Sequence, residues 1–204
     1  MSLLLFLTAS LALNLAPGPD MLYVSTRSLS QGRRAGVISA LGIAAGSVVH
    51  TILIASGLAA LLHAVPIAYD IVRYAGAAYL IWLGVQALRT KTDAMSTMHV
   101  VRADEWAIFR QGMITNLLNP KVALFFLAFL PQFTDPARGA VPLQVIVLGC
   151  LFNLSGTIVN IAVAWLTSSA GRLLKAERAS RAFRWVTGSV FIGLGLRLAL
   201  GERR

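Results

Sequence analysis

The chain has 204 residues, of which 57% are hydrophobic and only 13% are charged, with 18 Lys and Arg against 8 Asp and Glu. Soluble globular domains carry roughly 25% charged residues, so this composition, with a mean hydropathy of +0.73, disfavours a water-soluble enzyme, a disordered chain and a nucleic-acid binder. The net charge of +10 is spread thinly between apolar blocks, as in the loops of membrane proteins. The composition therefore predicts an all-α integral membrane protein.

Six apolar segments are long enough to cross a bilayer whose hydrocarbon core is about 30 Å thick. The two longest stretches without Asp, Glu, Lys or Arg, residues 35–69 and 139–171, each exceed that thickness as one helix, so turns are expected near Pro66 and Pro142. The predicted transmembrane helices are residues 3–24, 37–62, 67–88, 112–130, 143–169 and 183–200.

The positive charges favour one orientation in the membrane. Loops two and four hold only Arg73 and Arg138. Because cytoplasmic loops carry the excess of Lys and Arg, the odd loops are predicted to face the cytoplasm and the N-terminus the outside. The cations of the odd loops are Arg27, Arg33, Arg34, Arg89, Lys91, Arg102, Arg110, Arg172, Lys175, Arg178, Arg181 and Arg184.

The two halves of the chain resemble each other. Asn14 precedes a proline-rich segment as Asn116 does, and residues 46–50 match residues 156–160 in order. Each half holds three predicted spans, an odd number, so the second copy is inverted in the membrane. Many secondary transporters have this layout, with the substrate site between the repeats. The chain is predicted to be a single transporter domain, composed of repeat one, a cytoplasmic linker and repeat two, at residues 1–88, 89–106 and 107–204.

Proline interrupts the first predicted helix. After about 21 Å of helix, the run Pro17-Gly18-Pro19 removes two backbone donors and favours a break. The freed backbone groups need partners inside the membrane, and Asn14 is well placed to supply one.

The fourth predicted helix is also interrupted by proline. Pro120 lies near its middle, bracketed by Asn116, Asn119 and Lys121. Prolines that only kink the two helices are the alternative, but two interruptions at equivalent positions, each with a charge beside the proline, favour a functional site.

Asp20 and Lys121 are the two charged residues placed well inside these interrupted helices. An ionisable group in hydrocarbon costs about 2.5–3.5 kcal/mol, so it normally faces a partner or a polar cavity. Lys121 suits the carboxylate of an amino acid and Asp20 its ammonium, and Asp20 is also the candidate proton carrier. The alternatives are that the two residues pair with each other, or that Asp20 lies near Arg27 at the membrane interface.

His50 and Asn160 lie at matching places in the second and fifth predicted helices. They serve either to join helices or to contact substrate and relay protons. His50 has no metal-ligand spacing around it, so neither a metal nor a cofactor is predicted. An intramembrane enzyme using Asp20 and His50 as acid and base is disfavoured, because no nucleophile motif accompanies them. Gly32, Gly36, Gly42 and Gly46 are interpreted as a turn and close-packing positions.

Two motifs carry a family resemblance. Pro17-Gly18-Pro19 is followed after twelve residues by the glycines at 32, 36, 42 and 46, and Asn119-Pro120-Lys121 leads to residues 129–133, Phe-Leu-Pro-Gln-Phe. Together they resemble the two hallmarks of the lysine exporter (LysE/RhtB) family of bacterial amino-acid exporters, over essentially the whole chain.

The resemblance implies export of amino acids or close derivatives across the bacterial inner membrane, driven by protons. The loop charges described above predict that the N-terminus is periplasmic. Its implied partners are an amino-acid substrate, protons and the lipid bilayer, without nucleic acid. The substrate and the oligomeric state, including a homo-oligomer, stay open. The alternative is an ion- or metal-handling transporter or channel of the same superfamily, which the single intramembrane carboxylate disfavours.

Overall fold

The computed structural model describes residues 3–58 and 102–170, with separate positions between 71 and 89 and between 185 and 200. Regular structure in this part is helical and includes no strand, which confirms the all-α prediction. Most of the predicted third and sixth spans, the turn near Pro66, most of the linker and the fifth loop lie outside the described residues. The described positions of the third and sixth spans are helical.

The first predicted span is a pair of helices, α1 (Leu3–Leu15) and α2 (Pro19–Gln31), which meet at 48°. Pro19 takes the first position of α2, where no backbone donor is needed. The predicted break is confirmed, but α2 continues past the predicted end at residue 24, because the polar residues there pack against protein. These buried polar residues are Ser25, Arg27 and Ser28.

The second span, α3 (Arg33–Leu53), follows after a single residue. Gly32 forms this corner with a φ of 85°, a left-handed conformation that glycine adopts readily. A wider helical turn, Ile54–Leu58, continues α3 and contains a kink at Gly57. Arg33 and Arg34, expected in a loop, therefore lie in the first turn of α3, which begins before the predicted start at residue 37.

The fourth predicted span is also broken. Helix α4 (Glu105–Leu117) and the segment Pro120–Phe133 meet at 49°, which confirms the second predicted break. The segment begins with α5 (Pro120–Leu124) and ends in a wide turn and a tight one. Helix α4 begins before the predicted start at residue 112, because the Asp104 side chain caps it by accepting a hydrogen bond from the Ala107 N–H at 2.8 Å.

Helix α6 (Val141–Ala170) agrees closely with the predicted fifth span. It packs against α1, α2 and α3, and the Phe152 ring on it stacks against Phe125 at 4.7 Å between centroids. Outward-facing Leu4 and Leu154 are 75% and 61% exposed, as expected of a surface in lipid. Within the described residues, α3, α6 and the two bent pairs provide up to four membrane crossings.

Glycines on α3 allow its neighbours to approach closely. A side chain on Gly42 would collide with the backbone of Phe109 on α4, and one on Gly36 would collide with Ser28 and Ala164. The close-packing interpretation of these glycines is confirmed.

Candidate functional site

Lys121 reaches from one broken helix to the other. It is the second residue of α5, and its side chain is buried, with 5% exposure. Its Nζ donates to the carbonyl oxygens of Leu13 and Ala16 at the end of α1, at 3.0 Å in each case. Pro17 lacks the N–H that would otherwise bond to the Leu13 carbonyl. The Lys121 ammonium therefore caps the end of α1.

The residues at the breaks make room for this contact. A Cβ atom on Gly18 would lie 3.1 Å from Lys121 Nζ, so a glycine lets the ammonium approach. The Asn119 side-chain oxygen accepts from the Lys121 N–H at 3.1 Å and caps α5, which begins at Pro120. Asn119 Nδ2 is buried without a hydrogen-bond partner in the described part of the chain.

Asp20 occupies the matching second position of α2 and is also buried, with 8% exposure. Its Oδ2 accepts a hydrogen bond from Asn116 Nδ2 on α4 at 2.8 Å. Its Oδ1 is buried and, among the residues the structure describes, has no hydrogen-bond partner. No ion pair joins Asp20 to Lys121 or to Arg27 over these same residues. The carboxylate is thus held on one oxygen and open on the other.

Asn14 and Asn116 each pack against a glycine of the opposite half. Asn14 Nδ2 donates to Ser155 Oγ at 2.9 Å, and a Cβ on Gly156 would lie 3.0 Å from Asn14 Oδ1. A Cβ on Gly46 would lie 2.8 Å from the Asn116 side chain. Each broken helix thus places its asparagine against the long helix of the other half.

A small cavity lies between these side chains. Its volume is about 10 Å³, which is room for one water molecule. The predicted site residues Asn14, Asp20, Asn116 and Asn160 all line it, whereas Lys121 contacts the end of α1 instead. Its polar lining consists of Asn14, Asp20, Ser47, Asn116, Asn153, Thr157 and Asn160.

His50 contacts the site from its edge. Its Nε2 lies 3.4 Å from the Asn116 carbonyl oxygen, and its ring stacks on Phe126 at 5.5 Å between centroids. Pro120 lacks the N–H that would bond to this carbonyl. His50 thus lies at the end of α4 as Lys121 lies at the end of α1, although it does not line the cavity.

Three polar lining residues, Ser47, Asn153 and Thr157, were missing from the predicted site. Asn153, Thr157 and Asn160 recur at helical spacing and share one face of α6, so a search for polar faces would have found the first two. Ser47 donates to Asn116 Oδ1 at 3.4 Å and matches Thr157 in the internal repeat. Within the described ranges, no group of three His, Cys, Asp or Glu side chains could hold a metal ion.

Comparison with known proteins identifies a family for this chain. The family model for the LysE type translocator matches residues 11–202. An uncharacterized membrane protein of Vibrio cholerae is 31% identical over 98% of this chain and 97% of its own length. No solved structure matches the chain.

Two relatives have names that state a transport activity. A homoserine/homoserine lactone efflux protein of Salmonella typhimurium is 31% identical over 95% of this chain and 94% of its own length. A leucine efflux protein of an Enterobacter species is 29% identical over 91% of this chain and 89% of its own length. The chain is therefore a multi-pass membrane protein that belongs to the LysE type translocator family.

Proposed function

We propose that this protein exports an amino acid or a close derivative across the bacterial inner membrane, by alternating access and in exchange for protons. The family and the relatives named for homoserine and leucine efflux support the direction and the class of cargo. The observation that carries the proposal is Asp20, a buried carboxylate with one open oxygen in a polar cavity between two broken helices.

The two buried charged residues of the broken helices suit a zwitterion. Asp20 Oδ1 is an acceptor for the ammonium of an amino acid. The Lys121 ammonium has three donors, of which two bind carbonyl oxygens. The third donor suits the carboxylate of an amino acid.

The cavity must enlarge before an amino acid can bind in it. Room for one water is too small for an amino acid, so loading requires the broken helices to separate from α3 and α6. The Asn14–Gly156 and Asn116–Gly46 contacts relate matching residues of the two halves, which supports two inverted repeats. Inverted repeats provide two related arrangements of one site, each open to one side of the membrane.

Polar contacts join α2 to α4 at the end that the basic residues assign to the cytoplasm. Tyr23 Oη donates to the Ile108 carbonyl at 2.8 Å, and Arg27 donates to the Gln111 side-chain oxygen at 2.7 Å. In the proposed cycle these contacts open for loading from the cytoplasm. The N-terminus then faces the periplasm.

An export assay in cells tests the proposal. Cells fed dipeptides accumulate the free amino acids, and we expect this protein to relieve the toxicity of its substrate and release it into the medium. Asp20→Asn should lower the release at least tenfold. The matched control is Asp135→Asn, which changes a carboxyl that is 46% exposed and outside the site. If no amino acid is released faster than from cells without the protein, the proposal is wrong.

A further inference from the structure

Asp20 has one oxygen without a hydrogen-bond partner among the described residues, and it lines a space that holds one small group. Oδ2 is already bound by Asn116 at 2.8 Å, which leaves Oδ1 for any further ligand. The cavity on which Asp20 borders has room for about one water molecule. A ligand ammonium and a proton on Oδ1 would therefore need the same oxygen.

Asp20 is also the single carboxylate among the residues that line this cavity. The neighbouring elements contribute amides and hydroxyls to the lining, including Asn153 and Asn160 from α6 and Ser47 from α3. These neutral groups can solvate an ammonium but cannot hold a proton at ordinary pH. The carboxylate of the substrate is assigned above to Lys121, so a second positive charge beside Asp20 would meet no second anion in the cavity lining, and burying an unbalanced charge is costly.

The charged and titratable groups on the elements around Asp20 strengthen this restriction. Lys121 on α5 binds the end of α1 beside the break that precedes α2. His50 on α3 contacts the backbone of Asn116, whose side chain binds Asp20, and Arg27 is buried two turns further along α2. The α4 group that contacts Asp20 is the neutral side chain of Asn116. All three charged or titratable neighbours are basic, so they oppose any cation beyond the one that the carboxylate balances.

We infer, on the basis of the proposed function, that Asp20 binds either a proton or the ammonium of the substrate but never both, so that one proton enters for each amino acid that leaves. In the cytoplasm-facing arrangement, the substrate ammonium displaces the proton from the Asp20 carboxyl, and the proton goes to the cytoplasm. In the outward-facing arrangement, the amino acid leaves and a proton from the periplasm takes its place on Oδ1. Competition for one oxygen couples the two movements without a separate proton site.

Proton release on binding tests this inference. The purified protein in weakly buffered detergent solution is mixed with leucine or homoserine, and a pH-sensitive dye reports released protons while labelled amino acid reports binding. Competition predicts a pH range in which one proton is released per amino acid bound. Over that same range, the apparent affinity should weaken by about tenfold for each unit of acidification.

Control variants and the pH series distinguish a failure of the proposed competition from a failure of the proposed export function. Asp20→Asn should release no proton, whereas Asp135→Asn should behave as the unmodified protein, and the wild-type pH dependence needs no variant at all. Binding of either amino acid with no released proton and no dependence on pH would overturn the competition and leave export intact. Failure of every amino acid tested, in binding and in the cell assay, would instead overturn the proposed function.

Discussion

At the scale of single residues, the two buried charges take different roles although they hold matching positions. Asp20 and Lys121 are each the second residue after a break. The Lys121 ammonium binds two carbonyl oxygens at the end of α1, whereas one oxygen of the Asp20 carboxylate has no hydrogen-bond partner in the described part of the chain. The basic partner therefore stabilises the broken helix with two of its three donors, and the acidic partner has a whole oxygen left for a ligand.

Removal of the Lys121 ammonium should destabilise the protein. Lys121→Met keeps most of the side-chain length but leaves the Leu13 and Ala16 carbonyls without this donor, and an unsatisfied buried polar group costs about 1–3 kcal/mol. We expect a lower midpoint of thermal unfolding in detergent, measured by size-exclusion fluorescence.

Gly18→Ala should disturb the contact between Lys121 and the end of α1 without removing the ammonium. Its Cβ would press on the ammonium at 3.1 Å, so we expect a smaller decrease in the midpoint. Arg138→Met, which removes a cation that is 76% exposed, is the control and should have little effect. A midpoint for Lys121→Met equal to that of the control would contradict the capping role.

At the scale of helices, the breaks could be predicted from proline and glycine, but the ends of the membrane-spanning helices could not. Pro17, Pro19 and Pro120 remove backbone donors, which has the same consequence in any surroundings. The end of α2 depends on what lies beside it. Ser28 looks like a loop residue in the sequence, but it is buried in the fold and donates to the Val24 carbonyl at 2.7 Å.

The close contact between α3 and α4 should be intolerant of a single methyl group. A Cβ on Gly42 would meet the Phe109 carbonyl, which is backbone and cannot rotate away. Overpacking of this kind costs about 1–3 kcal/mol, so Gly42→Ala should lower both yield and thermal stability. Gly193→Ala adds the same methyl group into open space and should leave both unchanged. Equal stability of the two variants would show that α4 does not pack on Gly42 as described.

At the scale of the whole molecule, the site exists only where the two halves meet. The sequence predicted Asn14, Asp20, Asn116 and Asn160 because each is a polar residue in an apolar span. It could not predict that Lys121 would bond to Leu13, because the two residues are far apart in the chain. The acceptor is a backbone carbonyl oxygen, which every residue has, so the identity of Leu13 gives no signal. Ser47 was not predicted as a site residue for a related reason. A serine on a helix acquires a role only through its neighbour, which here is Asn116.

The proposed orientation predicts which residues reach the outside of an intact cell. Cys150 is the single cysteine and can be replaced by Ala. In that background, Arg138→Cys in the fourth loop should react with a membrane-impermeant maleimide in intact cells. Arg102→Cys, a matched change at an exposed residue before α4, should react only after permeabilisation. The opposite pattern would reverse the proposed orientation.

The central claim is that Asp20, open on one oxygen between two broken helices, exchanges an amino acid for a proton. Efflux from proteoliposomes loaded with the labelled amino acid identified in cells tests it most directly. With a more acidic outside, we predict accelerated efflux with the unmodified protein and with Asp135→Asn, and none above protein-free vesicles with Asp20→Asn. Efflux that ignores the pH gradient and is equally fast with Asp20→Asn would contradict the claim.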